Sequence, residues 1–330
     1  MTNFQNRLRA TWNPDMYHGW GKQKNYFEGW YFKVVSKDEK HAFAFIPGIS
    51  FDENGKSHAF IQVLNGKKCT AAYHDFDSDE FKPSAQKFEV HLGENFFSSE
   101  KIELDLPNIK GILSFKNTTP WPKMLGAPGI MGWYSFVPFM QCFHGVVSMH
   151  HLLEGTLNID GEEVDFTGGI GYIEKDWGVS FPKAYVWMQT NHFGADVPVS
   201  MMGSVAHIPW LGNYFVGFIG GLWLEDRLFK FATYTGAKKH LEIGDDTVNL
   251  IFKNPRTELR MFARKGETGE LVSPLSGAMK GKINESLQAT VEVELLERGK
   301  RIFEGKGRNM GLEVAGEIEV IQDNARNSKV

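Results

Sequence analysis

Cysteine is almost missing: Cys69 and Cys142 are the only two in 330 residues. That is too few for a disulfide framework and their separation matches no zinc-ligand spacing, so a reducing, cytoplasmic setting is expected. An excess of one charge is missing too. Lys and Arg total 36 against 40 acids, a net charge of −4, with no basic stripe interleaved with aromatics, so nucleic acid is not an expected partner. Residues 1–20 contain no apolar run of signal-peptide length, and export by that route is not expected. Segments 124–153 and 197–224 contain no Asp, Glu, Lys or Arg, yet Pro, Gly, Gln, Asn or His interrupts each. Such breaks could not be satisfied in hydrocarbon, so both read as buried or ligand-lining segments, with at most one rim in peripheral contact with a membrane.

What the chain has in quantity is aromatic residues, 13% with 26 Phe and 9 Trp, together with 35 Gly. Aromatics and frequent turn formers suit many short strands around an aromatic interior. Residues 27–35, FEGWYFKVV, read as a strand whose period-two faces carry Glu28, Trp30, Phe32 and Val34 on one side and Phe27, Gly29, Tyr31 and Lys33 on the other. Strands at 41–51 and 56–64 follow, joined by Asp52-Glu53-Asn54-Gly55, whose Asn-Gly supplies the positive φ a hairpin wants. No helical period stands out, and 118–138, rich in Pro, Gly and Trp, reads as a long loop or short helix across a barrel mouth. Segments 185–193, 197–208 and 213–224 repeat the order of 27–35, 41–51 and 56–64, with Trp187 in the place of Trp30. The expectation is therefore an all-β chain of two antiparallel barrel-like domains in tandem, 1–183 and 184–330, with few short helices and a fraying tail from Asp323.

The densest chemistry lies in 168–193. In GYIEKDWG an extended backbone puts Tyr172, Glu174 and Asp176 on one face and Lys175 and Trp177 on the other. Two carboxyls on one side of a strand can share a proton, and burial raises the pKa of at least one, which makes a general acid; the other reading is a strand end capped by solvated charges. Tyr185, Trp187, Gln189 and Asn191 also share a face. A packed core seldom carries two amides together, so a ligand-facing wall fits better. Glu28 beside Trp30 reads equally as an acid of the site or as half of a buried salt bridge. His144, His150 and His151 have no HxxxH helix, no second carboxylate ligand in register and no CxxC to make them metal ligands; they read more simply as satisfied core or rim histidines, and no metal is expected. Gly168-Gly169-Ile170-Gly171 lacks the βαβ setting of a dinucleotide site.

FEGWYFK at 27–33, GYIEKDWG at 171–178, FPKAYVWMQTNHF at 181–193 and MGWYSFVPFMQCFHGVVSMHH at 131–151 together resemble the tocopherol cyclase family. More distantly, the tyrosine–acid–tryptophan–glycine pattern is similar to that of carotenoid hydratases and related two-barrel lipocalin-like proteins. The resemblance implies two lipocalin/calycin-type barrels and protonation of a prenyl double bond, with capture of the tertiary cation by a phenol oxygen or, in hydratases, by water. It needs no metal or redox cofactor. It points to Glu174, Asp176 and Glu28 as acids, and to Trp30, Trp177, Trp187 and Tyr185 as aromatic faces for a passing cation. Tyr172, Gln189 and Asn191 complete the expected substrate contacts. Plant cyclases have Asn at the position of Asp176, which puts the main weight on Glu174. The expected partner is a hydrophobic prenylated or isoprenoid small molecule. A non-catalytic lipid or pigment carrier with the same cavity is the alternative, and a pericyclase that only shapes a polyene is a third.

Overall fold

The computed structural model describes residues 2–195 and 197–323; the expected fraying of the tail therefore lies, for 324–330, outside the described residues. Among the described residues there is one α-helix, Asn3–Trp12, and two antiparallel sheets, of 12 and 10 strands. The all-β, two-sheet architecture expected from aromatic content and turn spacing is the one the chain adopts. It divides into two compact units: Met1–Phe181 with Glu270–Lys282, and Pro182–Gly269 with Ile283–Val330.

In the first unit the sheet runs in the order Thr70–Phe76, Ser57–Asn65, Ala42–Phe51, Tyr26–Val35, Ile170–Gly178, Cys142–Ile159, Ile109–Lys116, Lys101–Leu106, Asn95–Ser98, Glu89–Leu92, Phe81–Pro83, while Glu162–Asp165 also pairs with Cys142–Ile159. Alternation sorts the two faces: Ile102, Leu104 and Leu106 are buried, and Lys101, Glu103 and Asp105 are not. Tyr26–Val35 and Phe81–Pro83 stand seven places apart in this order, roughly 30 Å or more if the sheet were flat. Yet the rings of Trp30 and Phe81 are 6.3 Å apart, so the sheet curls around its own aromatic core. Trp30 also stacks on Phe88 at 5.3 Å, and Phe32 lies 5.6 Å from Phe97. At the 52–55 hairpin Gly55 takes φ 86°, and the Asp52 carboxylate accepts from the backbone N–H of Asn54 and Lys56.

The second unit repeats the plan. Asn213–Leu224, Val199–Trp210, Ala184–Thr190 and Lys300–Gly316 succeed one another as Ser57–Asn65, Ala42–Phe51, Tyr26–Val35 and Ile170–Gly178 do in the first. Phe231 and Phe252, on strands seven places apart, approach to 6.0 Å, so this sheet curls as well. The internal echo read from the sequence is thus a repeat of strand order. Its register is one residue off, however. Trp30 points into its core, whereas Val186 and Met188 point into the second core and Trp187 points away from it. A slip of one residue moves a side chain to the other face of a sheet.

One local feature departs from expectation. Residues 3–12 form a helix, opened by a capping box in which Thr2 accepts from the Gln5 N–H and Gln5 accepts from the Thr2 N–H. Cys142–Ile159 is one long strand, carried past Gly155 (φ 129°) and through register shifts between Val146 and His151. Lys300–Gly316 is likewise one long strand. Segment 118–138, expected as a long loop or short helix, carries a short 3-10 turn, Gly132–Phe136.

Candidate active site

Two strands place the three candidate acids Glu28, Glu174 and Asp176, all in the first unit. Tyr26–Val35 lies antiparallel to Ile170–Gly178, with Glu28 opposite Trp177, Trp30 opposite Lys175 and Tyr31 opposite Glu174. Residues opposite one another share a face. Glu28, Trp30, Lys175 and Trp177 therefore lie together on the core side, and Tyr31, Tyr172, Glu174 and Asp176 on the other. The sheet separates Glu28 from the other two acids.

On the core side, the fold builds the buried salt bridge that was one of the two readings of Glu28. Lys175 and Glu28 are both fully buried and form an ion pair at 2.5 Å. The carboxylate also accepts from the backbone N–H of His18 and Gly19 and from the Tyr26 hydroxyl. The ammonium donates to the carbonyls of Pro14 and Met16 and to His18 Nδ1, and it sits 4.7 Å and 4.6 Å from the ring centres of Trp30 and Trp177. Burial alone would raise the Glu28 carboxyl, but the Lys175 charge and the His18 hydrogen bond outweigh it and hold it below the ordinary value. Trp30 Nε1–H donates to the Asp15 carbonyl. This cluster stitches segment 14–19 across the end of the curled sheet, and the two indole faces are already occupied by a cation.

On the opposite face, Cys142–Ile159 pairs with Ile170–Gly178 from the other side and brings His144 opposite Asp176. His144 Nδ1–H donates to Asp176 Oδ1 at 2.9 Å, its Nε2 lies 3.5 Å from Glu174 Oε2, and the Tyr172 hydroxyl donates to that same Glu174 oxygen at 2.6 Å. The result is one chain of polar groups, Asp176–His144–Glu174–Tyr172, from a 28% exposed carboxylate to a fully buried hydroxyl. Burial would lower the His144 pKa, but the charges of Glu174 and Asp176 overcome it and raise it to about 9. At neutral pH His144 is an imidazolium. The two carboxyls expected to share a proton have a histidine set between them, 2.9 Å from Asp176 and 3.5 Å from Glu174. Each of the three offers a donor atom within 4.8 Å of the others, a set that would also suit a divalent cation. A metal there would compete with the His144 proton, and its ligands would differ from the three histidines weighed in the sequence.

His18, His150 and His151 behave oppositely. Burial, helped at His18 by Lys175 and at His151 by His150, lowers their pKa values to about 4, 4 and 3. Their contribution to stability is complete above the ordinary value of 6.5 and is lost as pH falls through the folded values. The raised His144 contributes fully below 6.5 and loses that contribution as pH rises through about 9. Thermal melts against pH should therefore fall on both sides of the mid-six region, and His144→Gln should flatten the alkaline limb only. An unchanged alkaline limb would remove His144 from the account.

In the second unit, Tyr185, Trp187, Gln189 and Asn191 are all buried, and the three that lie within Ala184–Thr190 alternate with the core residues Val186 and Met188. The Tyr185 hydroxyl donates to Glu313 Oε2 at 2.6 Å. Glu313 stands opposite Trp187 on one side and opposite Glu285, 1% exposed, on the other. Sequence reading missed Glu285, Glu313 and Tyr31, because what singles them out is the residue each faces across a ladder, Glu285 opposite Glu313 and Tyr31 opposite Glu174. His144 reads in the sequence as a core or rim histidine rather than a metal ligand. Its period-two place beside an acid-bearing strand is a signal only once the pairing is known.

The tocopherol cyclase-like family model matches residues 112–316. A probable chloroplastic tocopherol cyclase of Oryza sativa subsp. japonica is 21% identical, over 94% of this chain and 80% of its own. A chloroplastic tocopherol cyclase of Zea mays is 23% identical, over 67% of this chain and 58% of its own. Among solved structures, CghA with Sch210972 superposes with a TM-score of 0.59 at 13% identity, over 88% of each chain, and a putative AttH from Nitrosomonas europaea with 0.52 at 14% identity, over 88% of this chain and 92% of that one. These likenesses show a shared fold, and the family match spans both strands that carry the Asp176–His144–Glu174–Tyr172 chain. The protein belongs to the tocopherol cyclase-like family.

Proposed function

We propose that this protein is a cyclase, or a hydratase, of a prenylated phenol or isoprenoid lipid that works by protonating an alkene and capturing the cation. The supporting observation is the buried imidazolium of His144 set between Glu174 and Asp176, with Tyr172 donating to Glu174. Alkene protonation needs a strong, dehydrated acid. A carboxylate beside an imidazolium is such an acid in waiting, because an apolar chain laid over the pair removes the solvent that stabilises separated charges and the proton moves from His144 Nε2 to Glu174. Glu174 then gives it to the alkene carbon, and a phenol oxygen or water attacks the tertiary cation. The proton lost from that oxygen returns to the relay, so the cyclisation is a net isomerisation and the relay ends as it began.

In this reading Glu174 is the catalytic acid and Asp176 a positioning residue that holds Nδ1–H and turns Nε2 toward Glu174. Glu28 has no proton to give and serves through Lys175 to anchor segment 14–19. Tyr172 supplies the proposed substrate contact beside Glu174, while Tyr185, Trp187, Gln189 and Asn191 form a proposed ligand-facing wall within the second unit. The rice and maize relatives carry the name tocopherol cyclase, which favours ring closure on a phenol oxygen over hydration. Incubation with a prenylated hydroquinone tests the proposal: the expected product is the isomeric chroman or the hydrate, and quantitative recovery of unchanged bound ligand would identify a carrier.

A further inference from the structure

Helix Asn3–Trp12 exposes Phe4, Leu8 and Trp12 by 74%, 54% and 43%, and their i, i+4, i+8 spacing puts them on one face. The stripe does not end with the helix. Trp12 meets Phe136 edge-on at 5.2 Å, itself 42% exposed, and Asn13 accepts from Lys123 Nζ at 2.8 Å, two residues before the fully exposed Leu125. Arg7 and Thr11, each one position before a stripe residue, turn the other way and line a cleft of about 360 Å³ with Lys22, Phe136, Val137 and Pro138. An apolar lip therefore runs along a cleft with a cationic edge.

We infer that this lip docks the protein on an anionic lipid bilayer. Residues 2–14 and 116–153, which build it, contain no Asp or Glu, in a chain whose net charge is −4; Arg7, Lys22 and Lys123 border it, and the nearby Asp15 is matched by Lys123 at 3.9 Å. A second copy of this chain set on the same patch would bring cationic rims together with no carboxylates from these segments to answer them. Anionic headgroups complement the rim, and the Phe, Leu and Trp side chains match the depth at which a short amphipathic helix enters the headgroup boundary. The inference stands whether or not the chain is a cyclase.

Co-sedimentation with vesicles of equal parts phosphatidylcholine and phosphatidylglycerol tests it. Wild type is expected to pellet with these vesicles, to pellet far less with phosphatidylcholine alone, and to be released by high salt. The double variant Phe4→Ser/Leu8→Ser, whose side chains face solvent and whose melting should match wild type, should lose about tenfold or more of the partitioning. Lys22→Gln/Lys123→Gln should erase the preference for phosphatidylglycerol. Wild type that stays in solution, a double variant that pellets equally, or a vesicle-free dimer that the same two substitutions dissociate would each overturn the assignment, the last in favour of a second copy.

Discussion

Glu174→Gln is expected to lower product formation by about 100- to 10,000-fold, the range for loss of a positioned general acid. The amide keeps the volume of the acid and can still accept the Tyr172 hydroxyl, so folding and ligand affinity should change little; what it cannot do is carry the proton. The effect should therefore appear in kcat and leave KM within a few-fold. Asp176→Asn should be much milder, since an amide oxygen can still hold His144 Nδ1–H. The rates are to be compared at neutral pH, where the His144 pKa of about 9 keeps the relay charged with its proton in wild type. Full activity in the Gln variant would move the acid elsewhere, and the opposed Glu285 and Glu313 of the second unit would be the next group to test.

The largest expected effect on stability is that of Lys175→Met. The substitution fits the apolar surroundings of Trp30 and Trp177 but leaves Glu28 buried without its counter-charge. A buried pair broken on one side costs about 3–5 kcal/mol. Urea unfolding should show that loss, and hydrogen exchange should speed at the His18 and Gly19 amides, which donate to Glu28. Adding Glu28→Gln to the Met variant should recover part of the stability, because the remaining oxygen still accepts those amides while the uncompensated charge is gone. If the single variant fails to fold, the double variant still reports on the pair. Equal stability of single and double variants would show that the charge of Glu28 is compensated by something other than Lys175.

The two faces of each strand were legible in the sequence, since period two alone sorts Glu28 with Trp30 and Tyr172 with Glu174 and Asp176. Which faces coincide was not. That Lys175 answers Glu28, and that His144 arrives beside Asp176, depends on the ladders between Tyr26–Val35, Ile170–Gly178 and Cys142–Ile159, pairings across more than a hundred residues or across a bulged strand. Local pattern carries no record of such partners. Nor does local pattern record that the rings of Trp30 and Trp177, expected as ligand faces, hold the Lys175 ammonium. The same limit explains Trp187, which copies the position of Trp30 in strand order but not in face. The helix at 3–12 was missed for a different reason: its Phe4, Leu8, Trp12 period was in the sequence, but the stripe faces outward and the segment reads as polar overall.

The central claim is that this chain transfers an exchangeable proton to carbon. Turnover of a prenylated hydroquinone in D2O tests it most directly, by mass spectrometry of the product after back-exchange in H2O. The account predicts a chroman or hydrate with one deuterium fixed on carbon from wild type, and no such product above background from Glu174→Gln. A product free of deuterium, or labelled product formed equally well by the Gln variant, would contradict it.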